Sequence, residues 1–272
     1  MSSKYVKKDP ISHILTRPDM YVGSTRSRGM EEFVVINSNY HIDKRTIDIS
    51  PAILRIFIEP LSNAVDNVAR SKSTKFKATE IRITVDSETG ETSVWNDGDI
   101  IPIEMHSTEK CYNHTLIFGH LLTGSNYDDD EDREDISGRN GLGGKVTNIF
   151  SKKFTVEGLD PTKKKLFSQT WTSNMKEAED PVIKSTTEKI GYTKVTYTPD
   201  FKQFGISGYS EDILNIYKKY VVDAAMITKL DFYFNDELIP VKSLQDYAKL
   251  YATENIENML YIKTCLLYTS PS

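Results

Sequence analysis

Residues 51–71 read PAILRIFIEPLSNAVDNVARS. Ile53, Leu54, Phe57, Ile58, Leu61, Ala64, Val65 and Val68 recur at helical spacing and make one apolar face. Pro60 interrupts that pattern. It removes a backbone donor, so a kink or the end of a first helical segment is expected there. Glu59, Asn63 and Asn67 stand four apart and therefore share a polar stripe of the helix, with Asp66 beside it. A carboxylate can polarise a water, and a neutral amide oxygen can ligate a hard cation such as Mg²⁺. A solvated helix face has the same spacing, and spacing alone does not separate the two readings.

Working outward, Glu80–Val85 and Thr92–Trp95 are strand-like runs around Ser87-Glu88-Thr89-Gly90, which predicts a hairpin. Lys153–Glu157 and Leu166–Trp171 flank Asp160-Pro161 as a second hairpin, and Leu230–Phe234 and Leu238–Val241 flank Asn235-Asp236 as a third. Thr193–Thr198 is a further strand. Residues 114–123, 210–229 and 243–251 read as helices. Hairpins mixed with helices, without regular βαβ alternation, predict an α+β layered sandwich. Residues 1–24 are polar, carry Pro10 and Pro18, and read as an arm; residues 25–255 form the body. Residues 256–272 start a further segment and end in LLYTSPS, which has the character of a fusion or assembly scar.

Two more stretches bear on chemistry. Trp95-Asn96-Asp97-Gly98 ends a strand in a tight turn, where the Asn96 amide could meet a base edge; Asn-Asp-Gly is equally a good turn in its own right. Gly138-Arg139-Asn140-Gly141-Leu142-Gly143-Gly144-Lys145 runs into the apolar stretch Val146–Phe150. Backbone amides at a helix start bind phosphate, and Lys145 adds a positive charge. The spacing is not that of a P-loop: Arg139 stands where glycine is needed, and Val146 where Ser or Thr is needed. Four glycines in so short a run cost folding entropy unless their backbone conformation is used.

Composition bounds the partners. The chain has 272 residues, a net charge of −5 and two cysteines, Cys111 and Cys265. The acidic balance, without a dense Lys/Arg patch, argues against a domain whose main task is gripping duplex DNA. Two cysteines make no disulfide framework. No apolar run of membrane-spanning length is present, and the N-terminus lacks a secretory apolar core.

The residues Phe57–Asn67 resemble the nucleotide-binding helix of the GHKL superfamily, which includes type II topoisomerases, a heat-shock chaperone, sensor histidine kinases and a mismatch-repair ATPase. Three other stretches narrow the resemblance. Leu15–Ser24 (LTRPDMYVGS) is similar to the arm of type IIA topoisomerases, and Leu121–Asp130 (LLTGSNYDDD) and Gly138–Lys145 to their eukaryotic branch. The resemblance runs from about Tyr5 to about Tyr251. It implies a GHKL-type two-layer sandwich with a mixed, mostly antiparallel sheet that binds ATP and Mg²⁺. Position by position, it implies that Glu59 is the general base that activates water and that Asn63 ligates Mg²⁺. Asn67 supports the phosphate side, and Asn96 recognises the adenine amino group. Ser125 and Asn126 contact ribose and phosphates. Gly138, Arg139, Asn140, Gly141, Leu142, Gly143, Gly144 and Lys145 form a lid over the phosphates, and Tyr5 reaches the partner subunit's nucleotide. The resemblance also implies a homodimer closing through the arm and the ATPase domain, and double-stranded DNA passage by the full-length enzyme. The location implied is the nucleus, or a viral factory if the source is a large DNA virus. Pro60 departs from the family's aliphatic residue, and Gly144 from its alanine.

Other readings are weaker. His106, His114 and His120 have no closed zinc spacing. Asp128-Asp129-Asp130 reads as a solvated acidic loop, and Tyr127 as a packing residue. Two alternative functions stay open: a nucleotide-gated dimerisation module without turnover, and another GHKL ATPase of chaperone or mismatch-repair type.

Overall fold

The computed structural model describes residues 9–121 and 142–252. Helix α1 (Pro10–Thr16) is capped by Asp9, whose Oδ1 accepts from the Ser12 amide at 2.9 Å. A hairpin of β1 (Arg28–Val35) and β2 (Ile42–Ile49) follows and forms a separate two-stranded antiparallel sheet. Next comes the long helix α2 (Pro51–Ser71). It opens on Ser50, whose hydroxyl accepts from the Ile53 amide at 3.1 Å, with Pro51 at the first turn, where no donor is lost.

The second sheet begins with β3 (Glu80–Val85) and β4 (Thr92–Asp97). Two short helices follow: α3 (Asn113–Gly119) and, after the stretch outside the described residues, α4 (Gly143–Ile149). Then come β5 (Ser151–Asp160), β6 (Lys165–Thr172), β7 (Glu177–Ala178), β8 (Val182–Ser185) and β9 (Tyr192–Pro199). Helix α5 (Glu211–Thr228), β10 (Asp231–Phe234), β11 (Glu237–Leu238) and α6 (Leu244–Lys249) complete the described residues. The strand order is β11-β10-β3-β4-β9-β5-β6-β7, with β8 also on β6. Every pairing is antiparallel except β10 on β3. This is the expected α+β sandwich with a mixed, mostly antiparallel sheet.

Register explains the core. Ile83, Val94, Val195 and Val156 lie opposite one another across four neighbouring strands, and all are buried. Period-two alternation puts them on one sheet face. The apolar side of α2, with Ile53, Ile56, Phe57, Leu61 and Ala64 buried, closes the same core, and Phe57 stacks on Tyr217 of α5 with ring centroids 3.8 Å apart.

Within the stretch 1–24, read as an arm, the described residues 9–24 place Ile14 and Val22 inside the main core. Of the two outcomes expected at Pro60, a kink or the end of a first segment, the second does not occur: α2 continues to Ser71. A proline at 60 cannot donate to the carbonyl four residues earlier, that of Ile56. Ile56 is buried, and leaving such an acceptor unmet costs about 1–3 kcal/mol. Here the Thr147 hydroxyl on α4 donates to that carbonyl at 2.9 Å.

Candidate functional site

Three elements meet at one place: the middle of α2, the end of β4 and the first turn of α4. Glu59 is mostly buried, with its side chain 13% exposed, and it pairs with Arg55 one turn earlier on α2. Burial pushes its carboxyl above the usual range, Arg55 pulls it back, and the nearby Asp66 charge adds to the rise. Its carboxylate lies directly against Gly143: a Cβ there would collide with Glu59 Oε2. Gly144, the next residue, faces Asn63. A Cβ on it would stand 3.5 Å from Asn63 Nδ2 and 3.3 Å from the Phe118 ring. Gly143 is therefore a fitting requirement of the α2–α4 junction, whereas a Cβ at Gly144 would come close to ordinary contact with its neighbours. Asn63 itself is exposed to solvent.

Asn67, one turn further, is buried, and its amide imitates a strand. Nδ2 donates to the Asp99 carbonyl at 2.6 Å, and Oδ1 accepts from the Asp99 amide at 2.9 Å. The turn it holds needs Gly98, whose φ is +112° and whose missing Cβ would fall 2.6 Å from Asn67 Oδ1. Asn67 is thus a clamp that fixes the end of β4 to α2. Asn96 lies at that end, on the same strand face as buried Val94, and its Nδ2 donates to the Asp97 carbonyl at 3.0 Å. Asp97 faces the other way in function: its carboxylate accepts from the amides of Thr79 and Glu80 and holds the start of β3.

Lys145 is enclosed, 1% exposed, and burial lowers its pKa to about 8. Leu142, Gly143 and Gly144 are at or in the first turn of α4. The structure therefore sets Glu59 against Gly143, Asn63 against Gly144, and Asn67 against the turn that follows Asn96, with Lys145 buried in the first turn of α4. The expected contacts of Tyr5, Ser125, Asn126, Gly138, Arg139, Asn140 and Gly141 lie outside the described residues.

Sequence reasoning missed Arg55 and Thr147. The Arg55–Glu59 spacing of four residues was a signal for the first. For the second, the only signal was Pro60, which marks a carbonyl in need of a donor. The histidines are scattered. His114 is inside the core, stacked on Phe167 at 4.4 Å, while His106 Nδ1 accepts from the Glu109 amide. Among the described residues there is no group of three His, Cys, Asp or Glu that could hold a metal, and no helix long and apolar enough to cross a membrane.

Solved structures with this arrangement place the fold first. A gyrase B ATPase domain from Thermus thermophilus, 20% identical with a TM-score of 0.61, shares the architecture over 88% of this chain and 54% of its own. The fold is the GHKL ATPase fold. Closer similarity comes from the ATPase region of Saccharomyces cerevisiae topoisomerase II, at 36% identity and a TM-score of 0.87 over 92% of this chain and 65% of that one. In sequence, the chain is 42% identical over 263 residues to a DNA topoisomerase 2 of Invertebrate iridescent virus 6, and 40% identical over 254 residues to DNA topoisomerase 2-alpha of Gallus gallus. These matches take in 92% and 93% of this chain. This chain is homologous to the ATPase region of type II DNA topoisomerases. It spans only 23% and 16% of the length of those two relatives. No family model matches it.

Proposed function

We propose that the chain binds Mg·ATP between α2, the end of β4 and α4, and that Glu59 activates water for attack on the γ-phosphate. The observation that carries this is the meeting of the Glu59 carboxylate with Gly143 and of Asn63 with Gly144. A base, an exposed neutral oxygen donor and a glycine-rich backbone converge there. Phosphoryl transfer to water needs positioning and charge neutralisation above all, and these groups supply both. The donor set fits Mg²⁺, which takes few protein oxygens and keeps waters and phosphates as its other ligands. Asn63 would hold the ion, which when bound neutralises phosphate charge. Asn96 would accept from the adenine amino group. Lys145, whose pKa burial lowers to about 8, would be held more firmly in its charged form beside a phosphate anion.

In this reading the lid residues Gly138–Lys145 wrap the phosphates, Ser125 and Asn126 touch the nucleotide, and Tyr5 crosses to the partner subunit. ATP closes a homodimer, and the full-length enzyme uses that closure to pass one DNA duplex through another. Relatives from a virus and from animals and fungi fit action in the nucleus or in a viral factory. A dimerisation module without turnover would follow if Pro60 disrupted α2. The unbroken helix favours turnover instead.

ADP with Mg²⁺, titrated calorimetrically, is expected to bind one site per chain. Asn96→Ala should weaken binding about tenfold, the equivalent of one hydrogen bond of roughly 1.4 kcal/mol. Asn63→Ala should reduce the gain from Mg²⁺. A folded chain that binds no ADP, and still binds none when extended through the transducer domain found next in relatives, sinks the ATPase reading.

Gly143→Ala tests the junction directly. Its Cβ must displace the Glu59 carboxylate or α4 itself. Misplacing a reacting group by about 1 Å can cost about 10²-fold in rate, and that is the expected loss of turnover. Turnover at the wild-type rate would mean that Glu59 does not act from this position.

A further inference from the structure

We propose that Thr147 is a positioning residue: its hydroxyl replaces the helix hydrogen bond that Pro60 removes, and in doing so it sets how the first turn of α4 sits on Glu59 and Asn63. The inference rests on the ATPase reading for its catalytic consequence, and on geometry alone for the hydrogen bond.

The geometry starts on α2. The helix is continuous from Pro51 to Ser71 with a proline inside it. Residue 60 would normally donate its amide to the carbonyl of Ile56. Proline has no such donor, and Ile56 is 0% exposed, so bulk water does not reach that carbonyl. Thr147 Oγ1 lies 2.9 Å away, and Thr147 is itself 0% exposed. The bond therefore crosses from one helix to the other inside the core.

Its place decides its effect. Ile56 is one turn before Glu59 on α2, and Thr147 is one turn after Gly143 on α4. Three contacts join the two helices: Thr147 meets Ile56, Gly143 meets Glu59, and Gly144 meets Asn63. The hydrogen bond is thus the next rung below the junction that carries the polar groups. Asn148 adds a second tie, with its Nδ2 donating to the Phe118 carbonyl at 3.2 Å. The α4 turn is pinned from two sides, and the proline supplies the acceptor on one of them.

The test is a double-mutant cycle. Thr147→Val keeps the shape and removes the donor; Pro60→Ala returns the backbone donor to Ile56. In the Pro60 background, Thr147→Val is expected to lower the melting temperature of the chain by about 3–6 °C, the scale of one unmet buried acceptor in a domain of this size. In the Pro60→Ala background, the same change should cost less than half as much. Thr147→Ser, which keeps the hydroxyl, should stay near wild type in both readouts. In the full-length protein, Thr147→Val should reduce kcat for ATP about tenfold with KM changed less than about twofold, the pattern of a group that positions chemistry rather than binding. Adding Pro60→Ala should restore most of that kcat.

Equal melting costs in the two backgrounds overturn the hydrogen-bond exchange. Coupled melting with uncoupled kcat overturns the positioning role and leaves a purely structural bond. A wild-type protein that neither turns over ATP nor binds ADP overturns the positioning half together with the ATPase reading, and the melting cycle then still decides the hydrogen bond by itself.

Discussion

Replacing Glu59 by glutamine is expected to cut ATP turnover by about 10²–10⁴-fold, the usual contribution of a positioned general base. The substitution keeps the side chain's size and its ability to accept from Arg55, so α2 and the junction with Gly143 should persist. ADP binding with Mg²⁺ should therefore stay within about twofold of wild type, since the lost function belongs to the reaction and not to the ground state. The environment of Glu59 supports its role. Burial raises its proton affinity toward what a base near neutrality needs, while Arg55 keeps it ionised. Steady-state turnover and calorimetry on the same preparations check the prediction, with the rate read on the form extended through the transducer domain. A glutamine variant that retains half the wild-type rate would remove Glu59 from the mechanism.

The second large effect concerns stability in acid. His114 is fully buried, stacked on Phe167 and pressed against Gly158, where a Cβ would collide with its Nε2. Neither ring nitrogen has a hydrogen-bond partner among the described residues. Burial therefore lowers its pKa from 6.5 to about 4, with Asp160 opposing weakly. Between those values the unfolded chain holds the proton and the folded chain does not. The stability carried by the neutral ring is fully present above pH 6.5, is lost as pH falls toward 4, and levels off below that. At full extent the loss is about 3 kcal/mol. Denaturant melts at pH 7 and pH 4 on wild type and His114→Leu should differ by that amount, the variant losing less because only its carboxylates respond. Parallel losses in the two proteins would show that His114 is not the group that titrates.

Much of this fold was legible from local pattern. The apolar periods of 51–71 and 210–229 gave α2 and α5, and the hairpins around Gly90 and Pro161 were placed by their turns. The β1–β2 hairpin was not legible. Its burial is confined largely to the ends, at Val34, Val35, Ile42, Ile47 and Ile49, and Lys44 and Arg45 break the alternation between them. The parallel pairing of β10 with β3 was equally hidden, because a strand's partner far along the chain leaves no mark in its own spacing. The site was half legible. The stripe Glu59-Asn63-Asn67 was visible as helical spacing, yet nothing in that spacing said that Asn67 would spend both ends of its amide on Asp99. One of the two outcomes expected at Pro60, the end of a helical segment, fails for a related reason: the donor that relieves Ile56 comes from 91 residues away.

The pairing of β10 with β3 also has a consequence for how the molecule is made. Asn235, just past β10, brackets Val85 at the end of β3, accepting from its amide at 2.7 Å and donating to its carbonyl at 3.1 Å across 150 residues of chain. During synthesis from the N-terminus, β3 and β4 emerge long before β10 exists. One edge of the hairpin then stays open to any extended peptide until residues 231–234 have been made, and an unpaired edge is a template for wrong partners. Closure by so distant a strand also carries a large loop entropy, which slows folding relative to the local helices. A strand made about 130 residues after β4 is thus the one that covers the β3 edge of the sheet holding Asn96.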